Sequence, residues 1–309
     1  MTNNMNSETD LISVVIPCYK QALYLGEAIE SVLAQTYRRF EIIVINDGSP
    51  DNPDEVMKRY PDVRYIRQTN QGVSKTRNRG LQESTGTYVV FLDADDRLLP
   101  NHFQAGVRAF QKNPEVACMH GAYNWCTAAY KRYVHNCDYK FDQYVDRYGV
   151  LLIHSIALAA VMWRRDVVME LGGFRDFIRG EDVELHLRLA QRYPISCHHE
   201  LIAEYRHYDK PLNWAMCLES VMRMYRSQRG YIRKRPEYEP LFRKAIVQMQ
   251  EVFGSKLVWE MGRSARTGEV AKCLRCLWVL LRFDPKGLVH HIRGIFSRRL
   301  SLTRSSLSE

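Results

Sequence analysis

Four short apolar runs, separated from one another by helix-like or turn-like stretches, constrain this chain more than any other feature. Residues 12–16, 40–45, 63–66 and 88–92 consist of Val, Ile, Leu, Phe and Tyr apart from Ser13, Glu41 and Arg64. Strands of that kind need cover on both faces, unlike the alternating strands of a half-solvated sheet. Residues 22–35 place Leu25, Ile29, Val32 and Leu33 at helical spacing, and residues 72–84 read as a second helix. Asn46-Asp47-Gly48-Ser49-Pro50 is a turn cluster after the second strand. The alternation predicts an α/β protein with a mostly parallel central sheet flanked by helices. In such sheets ligands bind beyond the carboxyl ends of the strands. That directs attention to Asp47, and to Asp93-Ala94-Asp95-Asp96 after the fourth strand.

The remainder divides near residue 210. Residues 116–205 are mixed, with a strand expected at 157–162 and helices at 166–171 and 181–193. Beyond Pro211 the pattern is helical, at 213–228, 240–263, 269–282 and 287–299, with Gly268 and Asp284-Pro285 as stops. This gives an α/β domain at 10–210 and a basic helical extension at 211–309. Charge follows the same division. Residues 1–204 hold 23 Lys+Arg against 26 Asp+Glu, a net of −3, and residues 205–309 hold 21 against 9, a net of +12. A basic third of this kind suits phosphate-rich partners, anionic lipid or nucleic acid. Between Lys286 and Arg304 there are five Lys+Arg and no acidic residue, with Leu288, Val289, Ile292, Ile295, Phe296 and Leu300 at helical spacing. Such a helix either lies on an anionic membrane or packs on the helices before it.

No run approaches the roughly 18–20 apolar residues of a membrane span. The first ten residues are polar and lack a signal core, and the eight cysteines are scattered, so the expected place is the cytoplasm, with the basic helix as the route to peripheral contact on the inner face of the plasma membrane. Cys273 and Cys276 have redox or zinc spacing, but they sit in an apolar helical run with no second pair, which favours a packed helix face. Trp163, Phe174 and Trp278 are expected in the core.

Asp93, Asp95 and Asp96 repel one another unless a cation or hydrogen bonds offset their charge. Oxygen ligands at a strand end suit Mn²⁺ or Mg²⁺ bridging to substrate phosphates. The same acidic turn also suits the start of a helix near Pro100. Asp182 opens a helix, which leaves a cap and a catalytic base both open.

Context weighs between these. Val14-Val15-Ile16-Pro17-Cys18-Tyr19, Ile43-Val44-Ile45-Asn46-Asp47-Gly48-Ser49, Asn70-Gln71-Gly72, Arg77-Asn78, Phe91-Leu92-Asp93-Ala94-Asp95-Asp96, Gly172-Gly173-Phe174 and Gly180-Glu181-Asp182 occur in this order. The series resembles the family 2 glycosyltransferases, inverting enzymes of the GT-A fold, over residues 10–210. The resemblance implies that Asp47 holds the uracil or ribose and that the Pro17 carbonyl and the backbone around Tyr19 line the base pocket. It places Arg77 near the base or pyrophosphate, Asp93 nearer the ribose, Asp95 on the metal and Asp182 as the catalytic base. His207, in Tyr205-Arg206-His207, would reach metal or pyrophosphate, although relatives often have a residue between the arginine and the histidine. It further implies a UDP-sugar donor, a carbohydrate or lipid-linked acceptor, a role in surface or exported polysaccharide synthesis, and no nucleic-acid partner. Two rivals are a sugar nucleotidyltransferase, whose glycine-rich loop after strand one is missing, and a non-catalytic carbohydrate-assembly protein. The latter would be free to lose Asp93, Asp95 or Asp182, and all three are present.

Overall fold

In a computed structural model, which describes residues 10–127, 132–133, 147–207, 213–285 and 288–289, the four apolar runs are four adjacent strands. They are β1 (Ile12–Cys18), β2 (Phe40–Asp47), β3 (Arg64–Gln68) and β4 (Tyr88–Phe91), joined by α1 (Ala22–Leu33), α2 (Pro53–Met57) and α3 (Val73–Glu83). Their order is β3-β2-β1-β4, with every neighbour parallel. All residues of β1 and β4 are buried, as cover on both faces requires. The chain steps from β1 outward to β2 and β3, then returns to the other side of β1. That reversal opens a crevice between the carboxyl ends of β1 and β4.

Beyond β4 the sheet changes character. The chain continues through β5 (Arg97–Leu98), α4 (His102–Lys112), β6 (Cys118–Cys126), β7 (Arg132–Tyr133) and α5 (Arg147–Ile153). It then forms β8 (Val161–Arg164), α6 (Arg165–Glu170), α7 (Glu181–Ala190) and β9 (Ile195–Arg206). The order runs on as β4-β8-β6-β9-β5, with β7 on β6. Here β6 and β9 are parallel, while β8 is antiparallel to both of its neighbours and β5 is antiparallel to β9. The strand expected at 157–162 is displaced: Leu158–Ala160 is a 3₁₀ turn and β8 follows it. Pairing decides this, since Trp163 is opposite Val89 on one side and Cys118 on the other. Periodicity does not predict β6 and β9, because His120, Asn124, Ser196 and Glu204 interrupt their apolar residues and are nonetheless buried.

The chain divides into two compact units, Met1–Asp176 with Glu181–Asp209, and Phe177–Gly180 with Lys210–Glu309. The second holds α8 (Trp214–Ser227), α9 (Arg229–Lys234), α10 (Glu239–Arg266) and α11 (Val270–Phe283). Gly268, at φ +75°, turns α10 into α11. Phe242, Leu257, Val279 and Leu280 are fully buried, and Cys276 is buried beside the partly exposed free thiol of Cys273. Trp278 departs from expectation. It is 44% exposed, because α11 turns Cys276, Val279, Leu280 and Phe283 inward instead. The helix expected at 287–299 lies outside the described residues, apart from 288–289. Among the described residues no helix is long and apolar enough to cross a membrane.

Candidate active site

Pro17 and Cys18 end β1 beside Ile45 and Asn46 of β2. The chain emerges at Tyr19, 42% exposed, and turns at Lys20 with φ +58°. Asp51 fastens this exit, accepting hydrogen bonds from the Ala22 amide (2.8 Å), at the first residue of α1, and from the Ser49 hydroxyl. The Lys20 amide donates to Ser49 Oγ (2.6 Å), and the Ser49 amide to Asn46 Oδ1 (2.8 Å). Tyr19 thus presents its ring from a cross-linked pair of loops.

Asp47 is buried at the end of β2. Its Oδ1 accepts from the Gln71 amide and from Gln68 Nε2, both at 2.8 Å, and its Oδ2 from the Gly72 amide at 3.0 Å. A carboxylate offers about four acceptor positions, so most are taken. The residue expected to hold the nucleotide therefore also fixes the Asn70-Gln71-Gly72 loop that starts α3.

Arg77 differs more from expectation. With 4% of its side chain exposed, it has almost no surface to offer a ligand. Its Nη2 donates to Asp93 Oδ1 (2.6 Å) and its Nη1 to Glu181 Oε1 (2.7 Å), while the guanidinium lies over Phe174, 5.4 Å from the ring centroid. One buried cation therefore joins the acidic turn after β4 to the first residue of α7. Close packing of α3 on β1 depends on Gly80, one turn beyond Arg77, where a Cβ would stand 2.2 Å from Val15 Cγ1. Burial disfavours the Arg77 charge, but Asp93 and Glu181 outweigh it and raise its pKa. Burial and the neighbouring Asp182 push the Glu181 carboxyl up, and Arg77 pulls it back.

The Gly172-Gly173-Phe174 motif is a backbone clasp on the same helix. Asn78 Nδ2 donates to the Phe174 carbonyl and Asn78 Oδ1 accepts from its amide, both at 2.8 Å. Gly173 has φ +66°, and a Cβ there would meet Asn78 Oδ1 at 2.2 Å. Neither Glu181 nor Asn78 was singled out from the sequence, although Arg77-Asn78 and Gly180-Glu181-Asp182 flagged their neighbours.

Asp95 and Asp96 are buried in a turn closed by the Asp96 amide on the Asp93 carbonyl (2.9 Å). Asp96 Oδ1 accepts from the Arg206 amide (2.9 Å) at the end of β9. Arg206 in turn donates to Glu27 Oε2 (2.8 Å) and stacks 3.8 Å from the centroid of Tyr24. His207 is exposed, and its ring lies 5.4 Å from that of Trp125. Asp95 and His207 are thus each one residue from the Asp96–Arg206 hydrogen bond.

Asp182 lies inside the first turn of α7, where its Oδ1 accepts from the Val183 amide (2.8 Å). One turn on, burial holds the His186 imidazole down to about 4, against the Trp163 ring at 4.4 Å. A groove of about 680 Å³ lies elsewhere, walled by Glu27, Glu30, Arg59, Tyr60, Arg97 and Glu204, and includes neither Asp47, Asp93 nor Asp182.

Among the described residues no three His, Cys, Asp or Glu side chains form a ready metal cage. The donor set still fits a hard divalent ion. Such ions take one or two carboxylates and complete their shell with phosphate oxygens and water. Asp95, a buried carboxylate in the turn after β4, is a group of the kind such an ion takes.

Known proteins resemble this chain in sequence and in fold. The chain is 39% identical over 127 residues to the uncharacterized glycosyltransferase YibD of Escherichia coli, covering 40% of this chain and 36% of that one. It therefore spans about a third of that relative's length. Among solved structures it resembles residues 1–349 of S. aureus TarS in complex with UDP-GlcNAc, with a TM-score of 0.59 at 15% identity over 88% of this chain and 91% of that one. It also resembles the mannosyltransferase PcManGT from Pyrobaculum calidifontis with GDP-Man and Mn²⁺, with a TM-score of 0.56 at 14% identity over 91% and 86%. The fold is accordingly that of the GT-A glycosyltransferases. The family model described as Glycosyl transferase family 2 matches residues 13–172, more than half of the chain and the stretch that carries Asp47, Arg77 and the Asp93–Asp96 turn, so the chain belongs to glycosyl transferase family 2.

Proposed function

We propose that this protein transfers a sugar from a nucleoside diphosphate donor, a UDP-sugar, to an acceptor hydroxyl with inversion at the anomeric carbon, using Mn²⁺ or Mg²⁺. The observation that carries the reading is the Arg77 bridge. One guanidinium holds Asp93, of the acidic turn, and Glu181, beside Asp182, within 2.7 Å of its nitrogens. The acidic turn on the nucleotide side and the first turn of the helix that carries Asp182 are thereby tied to one buried point. Residues 10–210 would carry the transfer and residues 211–309 form a basic helical extension.

In this reading Pro17 and Tyr19 line the base pocket, Asp47 holds both the nucleotide and the Asn70-Gln71-Gly72 loop, and Asp93 lies nearer the ribose. Asp95 and His207 would hold the metal, which when bound acts as a Lewis acid on the diphosphate. Asp182 accepts the acceptor's proton as the acceptor oxygen bonds to the anomeric carbon. The bond from that carbon to the diphosphate breaks, and its electron pair leaves with the diphosphate. TarS solved with UDP-GlcNAc supports a uridine donor, while PcManGT solved with GDP-Man and Mn²⁺ supports the metal and keeps guanosine as a second reading. The acceptor would be a carbohydrate or a lipid-linked sugar of surface or exported polysaccharide synthesis. The site of action would be the inner membrane face, reached by peripheral contact through the basic helical extension of residues 211–309.

Calorimetry with UDP and with GDP, each with and without Mn²⁺, tests the reading. Mn²⁺ should tighten UDP binding to the natural protein and should not do so for Asp95→Ala, because a hard cation needs that carboxylate to join protein and diphosphate. An undiminished metal effect in Asp95→Ala would remove Asp95 from the metal, and tighter GDP binding would move the donor to the second reading.

A further inference from the structure

We infer that the outward face of α11 is a docking surface for an anionic lipid bilayer. The inference is independent of the transfer reaction. It begins from a helix with two apolar stripes. Cys276, Val279, Leu280 and Phe283 are buried, whereas Val270, Leu274, Trp278 and Leu281 are 65, 59, 44 and 55% exposed. The exposed four recur at three- and four-residue spacing, so they stand one above another on one face. A helix that is apolar on both sides belongs between two apolar layers. Its described surroundings supply one.

The chemistry of the stripe's edge identifies the other. From Val270 to Phe283 the helix carries Lys272, Arg275 and Arg282 and no acidic residue. Arg275 and Arg282 place their guanidinium carbons 5.2 and 4.9 Å from the centroid of the Trp278 ring, and Arg275 also reaches Glu219. Here two arginines lie against the aromatic anchor of the stripe. Leucine, tryptophan and arginine in this order suit the boundary of a bilayer, where acyl chains take the leucines, the indole sits at headgroup level and long basic side chains reach lipid phosphates. The net charge of +12 over residues 205–309 complements an anionic leaflet.

Vesicle flotation of the full chain tests this, with phosphatidylglycerol–phosphatidylcholine vesicles beside phosphatidylcholine alone, at low and high salt. The natural protein should float with the anionic vesicles and release in salt. Leu274→Gln with Leu281→Gln should weaken that binding roughly tenfold or more, with an unchanged melting temperature because both positions are exposed. A second full-length variant, Ile292→Gln with Ile295→Gln, should retain binding. Three results overturn the inference: no flotation of the natural protein, loss of flotation in the second variant but not the first, or a dimer in sedimentation that the first variant dissociates while flotation is unchanged. The last of these would make the stripe a contact between copies of the chain.

Discussion

The two arms of the sheet bury different chemistry. In β1, β2 and β4, Ser13 apart, the buried residues are apolar until the strand ends at Asn46 and Asp47. In the arm from β8 to β5, His120, Asn124, Ser196, Glu204 and Arg206 are all buried within strands. The first hundred residues contain no histidine, and all ten lie beyond. Burying polar groups costs stability unless each is paired. The second arm offsets part of that cost with linked contacts. Arg97 donates to Glu204 at 3.0 Å through Nε, and the Arg206 amide meets Asp96 while its guanidinium meets Glu27 and Tyr24. One arm is thus a hydrophobic platform that offers its strand ends. The other is a polar frame that holds those ends in place.

This contrast can be broken at three points. The largest effect belongs to Asp182, which the second arm contributes. Asp182→Asn should lose about 10²–10⁴-fold in transfer rate, the usual worth of a general base. Its melting temperature and UDP affinity should hold, because the amide oxygen can still accept from Val183. Near-normal turnover with a working acceptor would show that the proton goes elsewhere.

Next is the tie between the arms. Arg77→Met leaves Asp93 and Glu181 without their buried cation and should cost about 3–5 kcal/mol of stability in urea unfolding. Arg77→Lys keeps the charge but not the two-pronged geometry. It should fall between them in stability and lower transfer more than donor affinity. If Arg77→Met is as stable as the natural protein, the two acidic motifs are not held through this residue.

The smallest effect, per unit of pH, should be confined to the second arm. Burial holds His186 down to about 4, and burial followed by the charge of His198 holds His102 down to about 3, both from an ordinary 6.5. The unfolded chain takes up these protons near 6.5 and the folded one does not. Stability should therefore be full above that value and fall as pH drops toward 4, by up to about 1.4 kcal/mol per pH unit for each histidine. Urea midpoints across this range read the slope, and His186→Phe should reduce it by about half, His102 carrying the rest. An equal slope in the variant would remove His186 from the acid response.

Legibility follows the same division. The platform was readable because continuous apolar runs have few ways to be buried, and the strand-end rule then pointed to Asp47 and to Asp93-Ala94-Asp95-Asp96. The frame was not, because in β6 and β9 the polar residues find partners far away in sequence. Arg77 shows the difference at a single residue. Its motif marked it as important, but only the fold shows that Asp93, 16 residues on, and Glu181, 104 residues on, share its guanidinium. Trp278 failed in the opposite way, since residue type favours the core while the phase of α11 turns it outward.

By itself the sequence determined the parallel arm, the strand ends that carry the acidic turn, the helical and basic character of the last third, and the order of motifs that marks the family. These rest on local properties: the periodicity of apolar residues, turn chemistry and charge. The tertiary structure alone decided the antiparallel arm, the engagement of Asp47 by the Gln71 and Gly72 amides, the Asn78 clasp on Phe174 and the burial of Arg77. Each of these depends on a hydrogen bond or ion pair between residues distant in the chain. Composition and spacing do not encode such a partner, because it is fixed only when helices and strands pack and every buried polar group must find one.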